Sequence, residues 1–400
     1  MALLFIALFN SILGLSILFP ILAPLGRELG LTELQVGSLS AAYALMQFLT
    51  STRWGRRSER VGRRPVLLTG ILGFSVTFAL FGAIAHLGLA ERLSTPWVYV
   101  LLLASRFLGG AFSSATFPSA QAYVADITGR RDRTAGMAVM GAAFGLGVIL
   151  GPGIGAALGS VSLLLPVYFS AGVGLLNALF VWIRLPEPER RVPLSDRVTP
   201  PLRKMAGKVW VLLAVALAAN LASVAMEQTV AFYFQDRLDL TAKETARTVG
   251  LALVIYGLVA VFMQGFVVRR YRMPAFALLR GGLPFAFLGL LMFVFARDFG
   301  WLTAALAIQG LGQGLTLPGV TAGLSLAVGE DEQGAVAGLG SSAQAFGRML
   351  GPIVGTGLYE IRPILPYGFG AAVLLLAMIF LFSSGELRRM AARDHQAAAE

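Results

Sequence analysis

The sequence predicts an all-α integral membrane protein of twelve transmembrane helices, arranged as two pseudo-symmetric six-helix bundles. Three observations carry that expectation. Of 400 residues, 56% are hydrophobic and only 13% charged, against roughly 25% charged in a soluble chain; with a mean hydropathy of +0.75, the chain has too little polar surface for water. The apolar residues gather into stretches long enough to cross a bilayer. Landmarks of the first half recur in the second at one offset.

A bilayer core of about 30 Å takes roughly 20 mostly apolar residues in a helix. Twelve such stretches run approximately over 2–25, 34–53, 65–88, 97–122, 134–158, 163–183, 209–234, 247–268, 275–296, 300–326, 334–358 and 364–384. The first has no basic leader and is longer than a signal peptide's apolar run, so it reads as a span. The other runs are too long for alternating barrel strands. Residues 184–208 hold five prolines and ten charges and read as a cytoplasmic linker. The expected domains are therefore a bundle over 1–183, the linker, a second bundle over 209–384 and a cytoplasmic tail over 385–400.

The net charge of +11 would suit nucleic acid if it were concentrated in a soluble domain. It is not. With 53–64 placed inside, 23 of the 32 Lys and Arg fall in the loops and tail of one side, seven on the other, and Arg106 and Arg348 within spans. That bias puts both termini in the cytoplasm of a cell-membrane protein and removes nucleic acid as a partner. No cysteine and two histidines leave no disulfide, no Cys-ligated zinc and no His-rich metal site. No GxxxxGK[ST] loop is present to bind ATP. Neither cofactor nor metal is expected, and a membrane enzyme is disfavoured because Asp, His and Ser form no clustered constellation.

Pro118 and Pro318 lie 200 residues apart, as do Gly110 and Gly310, Gly147 and Gly347, Gly151-Pro152 and Gly351-Pro352, and Gly155 and Gly355. LGLT at 29–32 matches LDLT at 238–241, and Gly37 with Tyr43 is echoed by Gly250 with Tyr256. Internal repeats of this kind mark secondary transporters.

Ionisable groups inside spans are functional candidates, because placing one near the bilayer centre costs about 2.5–3.5 kcal/mol on insertion scales. Among 21 acids, Glu227 alone looks embedded. With span seven ending near residue 234, it lies roughly 10 Å inside, on one face with Asn220 and Ser223. Taking a carboxyl out of water favours its protonated form, which suits uptake and release of protons. Arg106 and Arg348 join it as proton-coupling candidates, Arg348 as a partner from the same half. Arg106 shares a helical face with Gly110, Ser113, Phe117 and Gln121. Gln309, Gln313 and Thr316 mark a polar stripe on span ten, and Asn10, Tyr43, Gln47, Tyr256 and Gln264 add polar groups to spans one, two and eight. The residues read as substrate-binding are Asn10, Tyr43, Gln47, Ser113, Phe117, Gln121, Asn220, Ser223, Tyr256, Gln264, Gln309 and Gln313. Scattered polar groups among 27 Phe and 12 Met suit apolar or amphipathic ligands.

Four segments carry a family resemblance. GRRSERVGRR (55–64) resembles the loop signature of the major facilitator superfamily, SRFLGG (105–110) its span-four arginine motif, and GVILGPGIGA (147–156) its antiporter motif; LGLSILFPILAP (13–24) is similar to a span-one motif of the twelve-span drug/proton antiporter branch. Glu59 stands where that loop usually has Asp, and Gly109 where Gln is frequent. The resemblance implies proton-coupled export of small apolar or drug-like compounds by alternating access, by a monomer whose partners are small-molecule substrate, protons and the lipid bilayer. It also implies gating by Gly55, Glu59, Arg60, Gly62, Arg63 and Asp126 at the loop, and by Gly147, Gly151, Pro152 and Gly155 in span five. Linkage of Arg106 to proton or substrate handling is implied in the same way. A sugar or amino acid transporter of the same fold, and a receptor or assembly protein built on it, are the alternatives, because fold does not settle function.

Overall fold

The computed structural model describes residues 2–127, 133–188, 207–271, 273–329 and 332–383. The expected tail at 385–400 lies outside the described residues, as does the linker from 189 to 206. The described chain is helical throughout, with two six-helix halves. In order the helices are α1 (Ala2–Ser16), α2 (Leu22–Glu28), α3 (Glu33–Val61), α4 (Arg63–Leu89), α5 (Thr95–Ser113), α6 (Thr116–Ile127), α7 (Arg133–Gly159) and α8 (Leu165–Arg184), then α9 (Gly207–Leu238) and α10 (Ala242–Phe262). A π-helical turn (Met263–Val267) leads into α11 (Val268–Tyr271), followed by α12 (Ala275–Phe295), α13 (Phe299–Leu326), α14 (Gln333–Ile361) and α15 (Leu365–Ser383).

Three expected spans are interrupted. Span one breaks between α1 and α2, where Pro20 cannot donate to the helix ladder. Span four breaks after Ser113, five residues before Pro118; Ala115 N–H bonds Phe112 O at 2.9 Å instead of continuing the α ladder. Span eight carries the π turn, an insertion that widens a helix locally. Among the described residues, eight helical stretches are long and apolar enough to cross a membrane.

The LGLT and LDLT repeats have a shared physical cause. Gly30 and Asp239 both take positive φ, 70° and 52°, residue types that tolerate a left-handed turn. The following threonines then open helices. Thr32 Oγ accepts from Gln35 N at 3.3 Å while Thr32 N donates to Gln35 Oε1 at 2.9 Å. Thr241 N and Oγ donate to Glu244 Oε2 at 2.9 and 2.7 Å. Each is a reciprocal cap that satisfies backbone donors at a helix start.

The chain divides into two compact units: residues 1–195 with 239–254, and residues 196–238 with 255–400. The first half of α10 therefore groups with the first unit, on the other side of the boundary that the linker suggests. Within that unit α7 packs on α1 along its glycine face. Gly155 sits where a Cβ would fall 2.5 Å from Ile17 O, and Ser16 Oγ donates to Gly147 O at 2.7 Å. The second unit repeats the contact between α14 and α9, with a Cβ at Gly355 falling 2.7 Å from Ala225 O. Small residues at this spacing let backbones meet, which supplies dispersion contacts where lipid removes the hydrophobic drive. A different face of α7 meets α10 inside the first unit, where a Cβ at Gly250 would lie 2.7 Å from Pro152 O.

Candidate functional site

The polar residues fall into one cluster in each unit and a third at the start of α4. In the second unit, α9 brings Asn220, Ser223 and Glu227 to one face. The helix runs to Leu238, four residues past the expected end of the span, so eleven residues separate Glu227 from the terminus, about 16 Å at 1.5 Å per residue. Tyr256 Oη donates to Glu227 Oε1 at 3.1 Å. One turn away, Gln309 Nε2 donates to Ser223 Oγ at 3.3 Å and Ser223 Oγ to Gln313 Oε1 at 3.2 Å. Asn220 bonds back to Ala216 O at 3.1 Å and, with Gln313, Thr316 and Gln344, borders a gap of about 10 Å³, room for no more than one water. Gln344 was not singled out by its sequence, because a lone Gln on a glycine-rich helix carries no pattern. Arg348 is exposed and makes no direct ion pair with Glu227. Gln264 is half-buried in the π turn.

In the first unit, Tyr43 Oη donates to Ser113 Oγ, and Gln47 Nε2 donates to the same oxygen at 3.0 Å. Arg106 is 5% exposed and stacks on the Tyr43 ring at 4.5 Å and on Phe81 at 5.8 Å. Its Nε has no hydrogen-bond partner. The break after Ser113 ends the face that Arg106 was expected to share with Phe117 and Gln121; both lie exposed on α6. Asn10 is half-buried on α1.

The third cluster holds the start of α4. Arg63 Nε donates to Asp126 Oδ2 at 2.9 Å and its guanidinium also reaches Ser58 Oγ at 2.7 Å. Glu187, three residues past the end of α8, accepts from Arg63 N at 2.5 Å and Arg64 N at 2.9 Å. A carboxylate there meets the free N–H groups and the positive end of the helix. Arg64 also donates to Trp182 O, and Tyr123 Oη to Pro186 O at 2.8 Å. Gly62 takes φ 118°, which allows both the tight turn and the approach of Glu187; a Cβ would lie 2.8 Å from its Oε1. Glu59 is exposed on the last turn of α3 and makes no ion pair among the described residues. The carboxylate at this turn is Glu187, which sequence reading passed over as one charge among many in the linker. Arg60 is exposed, and a Cβ at Gly55 would meet open space. Gly147, Gly151 and Gly155 face α1, and the Pro152 carbonyl faces α10.

Comparison with known proteins matches the chain to the family model described as Major Facilitator Superfamily, over residues 4–352 and 247–398. Multidrug resistance protein 2 of Bacillus subtilis (strain 168) is 27% identical over 385 residues, 93% of this chain and 91% of that one. The class C tetracycline resistance protein of Escherichia coli is 29% identical over 382 residues, 91% and 92% of the two chains. Quinolone resistance protein NorA of Staphylococcus aureus (strain COL) is 25% identical over 94% of each. Among solved structures, a bacterial homologue of the human lysosomal transporter Spinster superposes with a TM-score of 0.72 at 16% identity, covering 98% of this chain and 96% of that one. The human organic anion transporter MFSD10 gives 0.66 at 21% identity, covering 95% and 98%.

Proposed function

This chain belongs to the Major Facilitator Superfamily, and from that premise we propose that it is a proton-coupled exporter of small apolar or amphipathic, drug-like compounds. It is a multi-pass membrane transporter, of a family and fold that carry small molecules rather than catalyse reactions. The names of three relatives, each covering more than nine-tenths of the chain, refer to resistance to multiple drugs, tetracycline and quinolones; they support the substrate class.

The observation that carries proton coupling is Glu227, a carboxyl deep in an apolar helix with one oxygen held by Tyr256. Oε2 is left to take the proton. Arg348 sits on α14, which packs against α9, so loading and unloading the proton on Glu227 changes the balance of charge in the second unit. Ser223, Gln309 and Gln313, already bonded to one another, offer exchangeable hydrogen bonds to a ligand's polar groups. Such coupling requires two global states with different affinities for proton and drug. The Arg63–Asp126 pair and the close glycine packing of α7 are the proposed gating contacts. The loop charge bias supports a placement in the cell membrane with both termini inside, and a monomer is proposed as the working unit.

The test is reconstitution in proteoliposomes with a fluorescent cationic dye and an imposed pH gradient. Glu227→Gln should lose gradient-driven transport while retaining dye exchange at equilibrium. Unimpaired gradient-driven transport by that variant overturns the assignment.

A further inference from the structure

We propose that Arg106, with Tyr43, Gln47 and Ser113, forms a subsite for the carboxylate of an amphipathic organic anion. The proposal rests on the exporter reading and names a headgroup chemistry for its substrates.

A guanidinium keeps its charge in proteins, and burying one without a counter-charge costs several kcal/mol in principle. Arg106 is 5% exposed, yet among the described residues of the first unit no carboxylate pairs with it. No Asp or Glu occurs in α1, α4, α5, α7 or α8. Those on the remaining helices of residues 1–195 sit at or near helix ends, where Glu33 pairs with Arg27 at 2.9 Å and Asp126 with Arg63 at 2.9 Å. Glu244, in the 239–254 segment, is engaged by Thr241. What Arg106 has instead is two aromatic faces, a partial substitute, and a guanidinium Nε with no acceptor.

Its neighbours are also short of acceptors. Ser113 Oγ already receives hydrogen bonds from Tyr43 and from Gln47. Tyr43 and Ser113 carry two hydroxyl protons between them and spend one on their shared bond, so one O–H donor is left over. A cluster with a free cationic N–H, a spare hydroxyl proton and an oxygen already serving twice as acceptor complements a ligand group that only accepts. A carboxylate is such a group.

The repeat argues that the arginine is not there for the fold. Gly110 closes on Tyr43 O in the first unit, and Gly310 closes on Tyr256 O in the second, where a Cβ would lie 2.6 Å away. The residue 200 positions after Arg106 is Leu306, fully buried. The same Tyr–Gly helix contact therefore forms with a leucine in place of the arginine. The two tyrosines differ in what they face: Tyr256 meets the carboxyl of Glu227, and Tyr43 meets a cation.

The experiment measures binding to the purified full-length protein by equilibrium dialysis, with 1-naphthoate as probe. Methyl 1-naphthoate keeps the ring without the charge, and acetate keeps the charge without the ring. Naphthoate should bind about tenfold or more tighter than its ester, as a charge-assisted hydrogen bond allows, and acetate far more weakly. Arg106→Gln should remove the preference and leave ester affinity within about twofold, Arg106→Lys should keep part of it, and Ser113→Ala should lower it several-fold. Equal affinity for naphthoate and ester in the wild type overturns the proposal, as does an equal loss of both ligands in Arg106→Gln. Acetate binding as tightly as naphthoate overturns the substrate assignment in favour of a free-anion site. Should Arg106→Gln fail to fold, the wild-type ratio, Arg106→Lys and Ser113→Ala still decide. Binding at equilibrium needs no proton gradient, so failure of the exporter reading would appear in the dye assay and not in this ratio.

Discussion

Tyr256, from α10, donates its phenolic proton to Glu227 Oε1 on α9 at 3.1 Å. That bond leaves the embedded carboxyl with one tethered oxygen and one free. Tyr256→Phe removes the tether and keeps the ring that packs against Gly310. Gradient-driven export is expected to slow by about tenfold, the scale of one hydrogen bond to a charged group, while Glu227→Gln abolishes it. Initial rates in proteoliposomes under an imposed pH gradient measure both, and equal rates for Tyr256→Phe and wild type would refute the role of the tether.

The Arg63–Asp126 pair, with both side chains 18% exposed, should be visible as a coupling between sites. Arg63→Gln and Asp126→Asn are each expected to shift the balance of states, and the double variant to lose little more than either, with a coupling of about 1 kcal/mol. The chain has no cysteine, so a single introduced cysteine reports accessibility to a thiol reagent without background. Additive shifts in the double variant would show that the pair does not act as a unit.

Glu187 should behave as a helix cap. Glu187→Ala leaves the first N–H groups of α4 without their acceptor and is expected to cost about 1 kcal/mol; Glu187→Gln keeps an acceptor and should cost less. Thermal unfolding of purified protein gives the ranking. Gly62→Ala should be the most damaging of the three, at about 1–3 kcal/mol, because φ 118° is strained for any residue with a Cβ. A Gly62→Ala protein as stable as wild type would contradict this account of the turn.

The paired glycines allow a comparison across the repeat. Gly155→Ala and Gly355→Ala each push a methyl group against a backbone oxygen of the partner helix. Each is expected to destabilise by about 1–3 kcal/mol through overpacking, read as a fall in melting temperature. Exposed glycines such as Gly172, which has open space around it, serve as controls and should tolerate alanine.

The features legible in the sequence were those set by composition and period. Long apolar runs reveal helices, and the glycines at 147, 151 and 155 reveal a close contact because nothing else explains small residues at that spacing in lipid. Glu227 stood out because a charge in an apolar run has few reasons to be there. The less legible features depend on where the chain travels. Glu187 reaches the start of α4 across more than 120 residues, and no local pattern distinguishes it from Glu189. The pairings of Tyr43, Gln47 and Ser113 were equally hidden, although each residue had been singled out as polar. The helix breaks near Pro20 and after Ser113 were missed because a proline in a membrane helix can kink it or end it, and hydropathy is blind to the difference.

Residues 239–254 belong with residues 1–195, and that has a consequence for the order of synthesis. A ribosome finishes α7 long before it reaches Gly250, so the face of α7 at Pro152 and Ala156 enters the bilayer with its eventual neighbour still unmade. Lipid must cover it in the interval and be displaced later. The first unit becomes complete only when α10 emerges, and a fragment ending at the linker would retain that surface facing the acyl chains.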